Sequence, residues 1–270
     1  MPRFERDVVI YIPAYNCAAT IVETIRSIPL DLAARADVLI IDNNSTDQTA
    51  EFVISARNKG LLPRSLQLIR TSKNVGYAGS QKLAFSLVRR SAAVRWVIML
   101  HGDGQYPSEL LSKFVPLMES EFSLVYGYRS KLSYWRLEGT PFPTWAVIKL
   151  LGALETAVTG YVRKEWHSGF NMYSVEFLRK LPLSEMTDTS HIDGQISFLA
   201  GALGEPVHAI PIYKRYKGFN SFGGVGRVKY VFHVLRLMFE FRLKRRSLLE
   251  RPREHSDFLA EYVLLSRDIK

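Results

Sequence analysis

Cysteine is almost missing from this chain: Cys17 is the one example in 270 residues. That excludes a disulfide framework and any multi-thiolate zinc site, and it suits a reducing compartment. The opening residues Met1-Pro2-Arg3-Phe4-Glu5-Arg6-Asp7 lack the apolar core of a signal peptide and run straight into an apolar strand. No stretch of about 18 residues is free of charge, so no segment reads as a membrane-spanning helix. Internal repeats, low-complexity runs and Pro/Ser-rich linkers are also missing. The simplest division is one domain over 1–222 and a basic helical tail over 223–270. Acidic residues are in short supply, 26 against 36 Lys and Arg, giving a formal charge of +10. Such an excess calls for an anionic partner: a nucleotide, a nucleic acid or a membrane surface. It is local. Between 214 and 246 lie Lys214, Arg215, Lys217, Arg227, Lys229, Arg236, Arg242, Lys244, Arg245 and Arg246, opposed by Glu240 alone, so ten minus one places +9 in the tail region.

The first half of the chain alternates short apolar runs with amphipathic stretches, the pattern of a parallel sheet covered by helices. Residues 7–11, 37–41, 66–69 and 95–100 read as strands one to four. Ile21, Ile25 and Ile28 recur at helical spacing, and Leu83, Leu87 and Val88 mark another buried helical face. Ser45 and Gln48 have capping-box spacing ahead of a helix that buries Val53 and Ile54. Pro107 suits the first position of the helix after strand four. Further strands are expected at 124–127, 170–175 and 207–213, with an apolar helix inside 141–162.

Ligands of such sheets collect at the carboxyl ends of the strands, and the polar clusters of this sequence lie there. Pro13-Ala14-Tyr15-Asn16 follows strand one, Asp42-Asn43-Asn44-Ser45 strand two, residues 71–79 strand three and His101-Gly102-Asp103-Gly104-Gln105 strand four. A diphosphate leaving group needs a divalent cation. Mn²⁺ or Mg²⁺ prefers oxygen ligands such as Asp103 and Gln105, and the two glycines let phosphate approach the backbone. The bland alternative is a polar turn that caps the next helix. Asp42 can accept hydrogen bonds from a base or ribose, although a helix-entry turn would use the same residues. Lys73, Asn74, Gly76 and Gly79 form a loop suited to anion contact through backbone N–H groups.

Pro13-Ala14-Tyr15-Asn16, Asp42-Asn43-Asn44-Ser45-Thr46-Asp47-Gln48-Thr49, Asn74-Val75-Gly76, Gly102-Asp103-Gly104-Gln105 and Ser168-Gly169-Phe170 occur in the order found in family 2 glycosyltransferases. Over roughly residues 7–222 the chain resembles the branch that holds dolichol-phosphate mannose synthase and polyprenyl-phosphate sugar transferases. The resemblance implies a GT-A fold, a Rossmann-like and mainly parallel sheet with helices on both faces. It also implies an inverting mechanism, a GDP- or UDP-sugar donor, and Mn²⁺ or Mg²⁺. Pro13, Tyr15 and Asp42 would line the nucleotide pocket, while Asp103 and Gln105 would hold the metal. Arg129 and Arg136 would meet acceptor phosphate, and Arg215 and Ser221 the donor diphosphate. The family usually has Asp-x-Asp where this chain has His101-Gly102-Asp103, so His101 is a metal ligand, a phosphate donor or a bystander. Glu165 stands in place of a common Asp, and Asn171 in place of a common Arg.

Transfer to a hydroxyl needs a general base. Asp193 in His191-Ile192-Asp193-Gly194-Gln195 is the first choice, as the resemblance implies an acidic residue near this point, and His191 the second; a helix N-terminal carboxylate is the structural alternative. An ionised lipid phosphate would need no base. In the tail, Lys229, His233, Arg236 and Glu240 make one polar stripe on an otherwise apolar helix, followed by Lys244-Arg245-Arg246. This amphipathic helix reads as a peripheral contact with the cytoplasmic membrane face. The same face could pack on the domain or on a second copy of the chain as a homo-oligomer. Nucleic acid is not the expected partner, because the aromatics sit on the apolar side. The expected acceptor is a lipid phosphate or a glycan near a membrane. A sugar-nucleotide pyrophosphorylase, which would carry a Gly-rich basic loop after strand one, and an inactive nucleotide-binding module are the alternatives.

Overall fold

A computed structural model describes residues 1–130, 133–134, 138, 140–215, 224–250, 257–258 and 260–265, with backbone alone for 224–227 and 244–250. Its centre is a sheet of eight strands. They are β1 (Val8–Ala14), β2 (Ala36–Asp42), β3 (Leu66–Thr71), β4 (Trp96–Met99), β5 (Leu124–Arg129), β6 (Asn171–Ser174), β7 (Val207–Ile212) and β8 (Tyr262–Leu264). Their order across the sheet is β7-β5-β6-β4-β1-β2-β3-β8. β4, β1, β2 and β3 are mutually parallel, as are β5 and β7, whereas β6 and β8 run antiparallel to their neighbours.

β1 and β2 are apolar on both sides because both faces of the sheet are covered. Val8, Ile10 and Ile12 turn to one face, where they meet α1 (Ile21–Arg26), α2 (Leu30–Arg35) and α3 (Thr49–Asn58). Val9 and Tyr11 turn to the other, against α4 (Gly76–Val88), α6 (Val175–Arg179) and α7 (Ile192–Ala202). A third cluster lies beyond the sheet. There α5 (Phe142–Thr159) and α8 (Gly224–Glu250) pack together and on α7 through Leu151, Trp166, Phe198, Val234, Leu237, Met238 and Phe241. The mainly parallel α/β architecture implied by the sequence is therefore present, with all seven expected strands.

Three local expectations are corrected. Ser45 does not cap α3: its hydroxyl accepts from the Asn16 N–H at 3.0 Å, and Asp47 Oδ1 takes the Thr49 N–H instead. Pro107 precedes a 3₁₀ helix, Ser108–Lys113, at the cap position rather than opening an α-helix. The segment 223–270 is not helical throughout, since β8 within it pairs with β3. Asp257 joins this return, bridging Arg89 and Arg90 at the end of α4.

Candidate active site

The turn after β4 is built by its neighbours. The Gly102 N–H donates to the Pro13 carbonyl at 3.2 Å, and the Gly102 carbonyl accepts from Thr20 Oγ1 at 2.8 Å. A side chain at Gly102 would meet that Pro13 oxygen at 3.1 Å, and Gly104 has φ +69°, a conformation that favours glycine. The turn thus presents His101, Asp103 and Gln105 at the carboxyl edge of the sheet. Asp103 Oδ1 accepts the Gln105 N–H at 3.0 Å, and the Gln105 carbonyl accepts the Arg215 N–H at 2.8 Å. Arg215 is half-exposed, with its guanidinium on Glu109.

His101 Nε2 lies 3.0 Å from the Gly169 carbonyl. A carbonyl only accepts, so Nε2 carries the proton and Nδ1 keeps the ring's lone pair. Burial holds this imidazole below its ordinary pKa; Asp103 and Asp193 oppose the shift, whereas Lys214 adds to it. The folded state therefore binds its proton at lower pH than the unfolded chain. The resulting stability is complete above the ordinary histidine value of about 6.5 and is lost as pH falls through the lowered one. Thermal midpoints measured against pH should fall on acidification below about 6.5, and His101→Asn should flatten that part of the profile. An unchanged profile would remove the argument that His101 is held neutral.

The sequence-derived nucleotide residues occupy the neighbouring strand ends. Tyr15 is exposed and Pro13 half-buried. Asp42 is fully buried: Oδ1 accepts the Ser45 N–H, and Oδ2 lies 3.4 Å from Arg70 Nε without an aligned hydrogen bond. Asn43, rather than Asp42, organises the third cluster, donating to Asn74 Oδ1 and the Gly76 carbonyl and accepting from the Val75 N–H. Gly76, at φ +73°, opens α4, and Lys73 is exposed. Burial raises the Cys17 thiol to about 12, and Asp103, Asp47 and Asp42 add to the rise, so three carboxylates surround the loop after β1. Arg136 and Ser221 lie outside the described residues.

Asp193 stands in the first turn of α7, and its carboxylate is saturated. Tyr173, Gln81 and Asn171 donate to Oδ1 at 2.7, 2.9 and 3.3 Å, and Tyr77 donates to Oδ2 at 2.7 Å. Both carboxylate oxygens are thus committed to donors of the protein itself. Tyr77 links it to the turn after β4, for its ring lies 5.7 Å from that of His101. Tyr77 and Gln81 are one helical turn apart on α4, a spacing that could have pointed to them. Lys214 packs over the Tyr106 ring at 4.8 Å beside the same turn.

Arg129 is turned into the protein interior. It is 6% exposed, with Nη2 at 2.8 Å from Glu165 and Nη1 at 3.5 Å from Glu138. A phosphate could reach it only by displacing a buried carboxylate. His191, the second choice for a base, is likewise buried, with Nε2 at 2.8 Å from Glu155.

A family model described as Glycosyl transferase family 2 matches residues 9–181. The chain belongs to glycosyltransferase family 2. It is a glycosyltransferase of GT-A fold, as five ordered motifs and the strand-end loops suggested. No curated protein matches the sequence. Among solved structures, glucosyl-3-phosphoglycerate synthase from Mycobacterium tuberculosis with bound phosphoglyceric acid is similar, at TM-score 0.62 and 18% identity. The match covers 92% of this chain and 82% of that one. The same enzyme with Mn²⁺, UDP-glucose and phosphoglyceric acid gives TM-score 0.62 and 18% identity over 86% and 79% of the two chains. With Mg²⁺ and UDP the values are 0.58 and 18%, over 86% and 79%. Identities this low speak to the fold this family 2 chain shares with the synthase.

Proposed function

We propose that this family 2 enzyme transfers a sugar from a nucleoside-diphosphate donor, a UDP-sugar, to a phosphate-bearing acceptor at a membrane surface, inverting the transferred centre. The observation that carries the reading is the turn 101–105 at the carboxyl edge of the sheet, with the backbone of Arg215 docked on Gln105. The similar mycobacterial synthase, solved with UDP-glucose and Mn²⁺, supports the donor class.

The turn suits a divalent ion of the Mn²⁺ or Mg²⁺ kind. Asp103 and Gln105 supply oxygen donors, and His101, its Nε2 proton engaged by Gly169, offers Nδ1, which favours Mn²⁺ over Mg²⁺. Bound there, the ion would offset charge on the departing diphosphate. The remaining work falls to the chain. Arg215 and Lys214 place positive charge beside the turn, Tyr15 and Asn43 flank the nucleotide side, and Asp193 fixes Tyr77 against the His101 ring.

A saturated Asp193 supports an acceptor that arrives ionised and needs no base, as a lipid phosphate does. With Arg129 sequestered, cations available to it among the described residues include Lys149, Arg163 and Lys164, which line a pocket of about 190 Å³ beside α5. The outer faces of α5 and α8 carry Val147, Leu150 and Leu154, and Phe232, Leu235 and Phe239, all exposed. None of the helices among the described residues is long and apolar enough to cross a membrane. The two stripes favour a peripheral position on the cytoplasmic membrane face, with α8 lying in the interface. These features suit a member of the lipid-phosphate sugar transferase branch.

A panel of UDP- and GDP-sugars, assayed with Mn²⁺ in the presence of membrane lipid extract or of soluble phosphorylated acceptors, tests this. Turnover of a UDP-sugar that needs both Mn²⁺ and lipid is expected. Turnover on soluble acceptors alone would overturn the lipid part of the reading. Failure to bind any nucleotide would point instead to an inactive module.

A further inference from the structure

Behind the acceptor side, four elements meet at a second cluster of side chains. Glu155 comes from α5, His167 from the segment before β6, His191 from the start of α7 and Tyr230 from α8. Glu155 and His191 are 0% and 1% exposed, and the His167 side chain 6%. Glu155 Oε1 lies 2.8 Å from His191 Nε2, and Oε2 lies 3.1 Å from His167 Nε2. The other ring nitrogens converge on one phenol: Tyr230 Oη is 2.8 Å from His167 Nδ1 and 3.1 Å from His191 Nδ1.

Counting protons exposes a conflict. The phenol has one hydrogen, so it can donate to at most one Nδ1. The other ring must carry its own Nδ1 proton and donate to the phenol oxygen. If that ring is neutral, its Nε2 is a bare lone pair aimed at a carboxylate oxygen. The pair Glu155 Oε2 and His167 Nε2 shows the strain directly: both atoms are buried, 3.1 Å apart and without an aligned hydrogen bond. Unsatisfied polar atoms of this kind are costly in a dry interior. The surroundings are dry, formed by Leu151, Trp166 and Phe198.

We propose that Glu155, His167 and His191 form a buried transition-metal site, suited to Zn²⁺, distinct from the Asp103–Gln105 turn. A dication would take the lone pairs of both Nε2 atoms and of Glu155. Both Nδ1 atoms would then donate to Tyr230 Oη, which has two lone pairs to receive them. An acceptor of this sort behind each ring is what orients histidine ligands in metal sites. The ligand atoms already lie within 4.8 Å of one another, and a tetrahedral site with bonds of about 2.0–2.1 Å needs roughly 3.3 Å between them. His167 lines the pocket beside α5, which gives an entry path. The ion would act by position. His167 is two residues from Gly169, the acceptor of the His101 proton, and His191 is two residues from Asp193. Clamping both segments to α5 and α8 sets the back wall of the catalytic site.

The test uses the full chain without a histidine tag. Zn²⁺ is measured by mass spectrometry after dialysis against a weak chelator, and the apo protein is titrated with Co²⁺ while its visible ligand-field absorption is followed. About one equivalent of tightly held Zn²⁺ is expected in the wild type and in Asp103→Ala, with an intense Co²⁺ band typical of a four-coordinate site. Glu155→Gln and His191→Gln should lose both, and Tyr230→Phe should weaken binding about 10–100-fold. A folded wild type that takes up neither metal overturns the proposal. So does a Glu155→Gln variant that keeps the Co²⁺ band. Where that variant fails to fold, the wild-type titration decides.

Discussion

Asp103→Ala should lower Mn²⁺-dependent sugar transfer by about three orders of magnitude while leaving the fold intact. A metal acting as Lewis acid on a diphosphate contributes several kcal/mol, and each 1.36 kcal/mol is tenfold in rate, which together give roughly 10³. The fold should tolerate the change because the side chain is only half-buried and its hydrogen bond to the Gln105 N–H is local to the turn. Gln105→Ala should cost less, since a neutral amide is a weaker ligand than a carboxylate. Steady-state kinetics across a Mn²⁺ titration, alongside thermal melts, measure both. Activity within tenfold of wild type in Asp103→Ala, with no change in Mn²⁺ dependence, would sink the metal assignment at this turn.

Glu165→Leu is expected to destabilise the protein by about 3–5 kcal/mol, the usual cost of breaking a buried ion pair by removing one member. The Arg129 guanidinium would stay buried with Glu138 at 3.5 Å as its remaining charged partner. Arg129→Met should cost a similar amount, because it leaves Glu165 and Glu138 buried without the guanidinium between them. Burial already holds the Glu138 carboxyl above its ordinary range, against the pull of Arg129, so that group can take up a proton. Chemical denaturation measures both changes. The comparison also separates two roles for Arg129. An acceptor contact would raise KM with stability unchanged, whereas a buried keystone loses stability first.

The parts of this molecule that could be read in advance are those written in short-range pattern. Residues 7–11 and 37–41 are apolar without alternation because their strands are covered on both faces, and that run is visible in one dimension. The strand-end placement of Asn43, Gly76 and Asp103 follows from the same alternation. What could not be read depends on contacts between distant segments. Nothing near Arg129 in sequence announces that Glu165 will neutralise it across 36 residues. Asp193 was singled out as a base because the family places an acidic residue near this point of the sequence. Its four donors come from α4 and β6, and they change what the group can do. Ser45 had the right spacing for a cap, but the loop after β1 claimed its hydroxyl first.

The edge of the sheet at β3 has a consequence for how the chain folds. β3 is made early and its outer partner β8 late, so during synthesis the backbone groups of Leu66–Thr71 on that side face no partner. An open edge of this kind is a template for pairing with other chains. Closing it demands contact between residues far apart in sequence, a slow kind of event. Half-exposed Gln67 and Arg70 lie along that strand. They are polar gatekeepers for the interval in which the edge waits for the rest of the polypeptide.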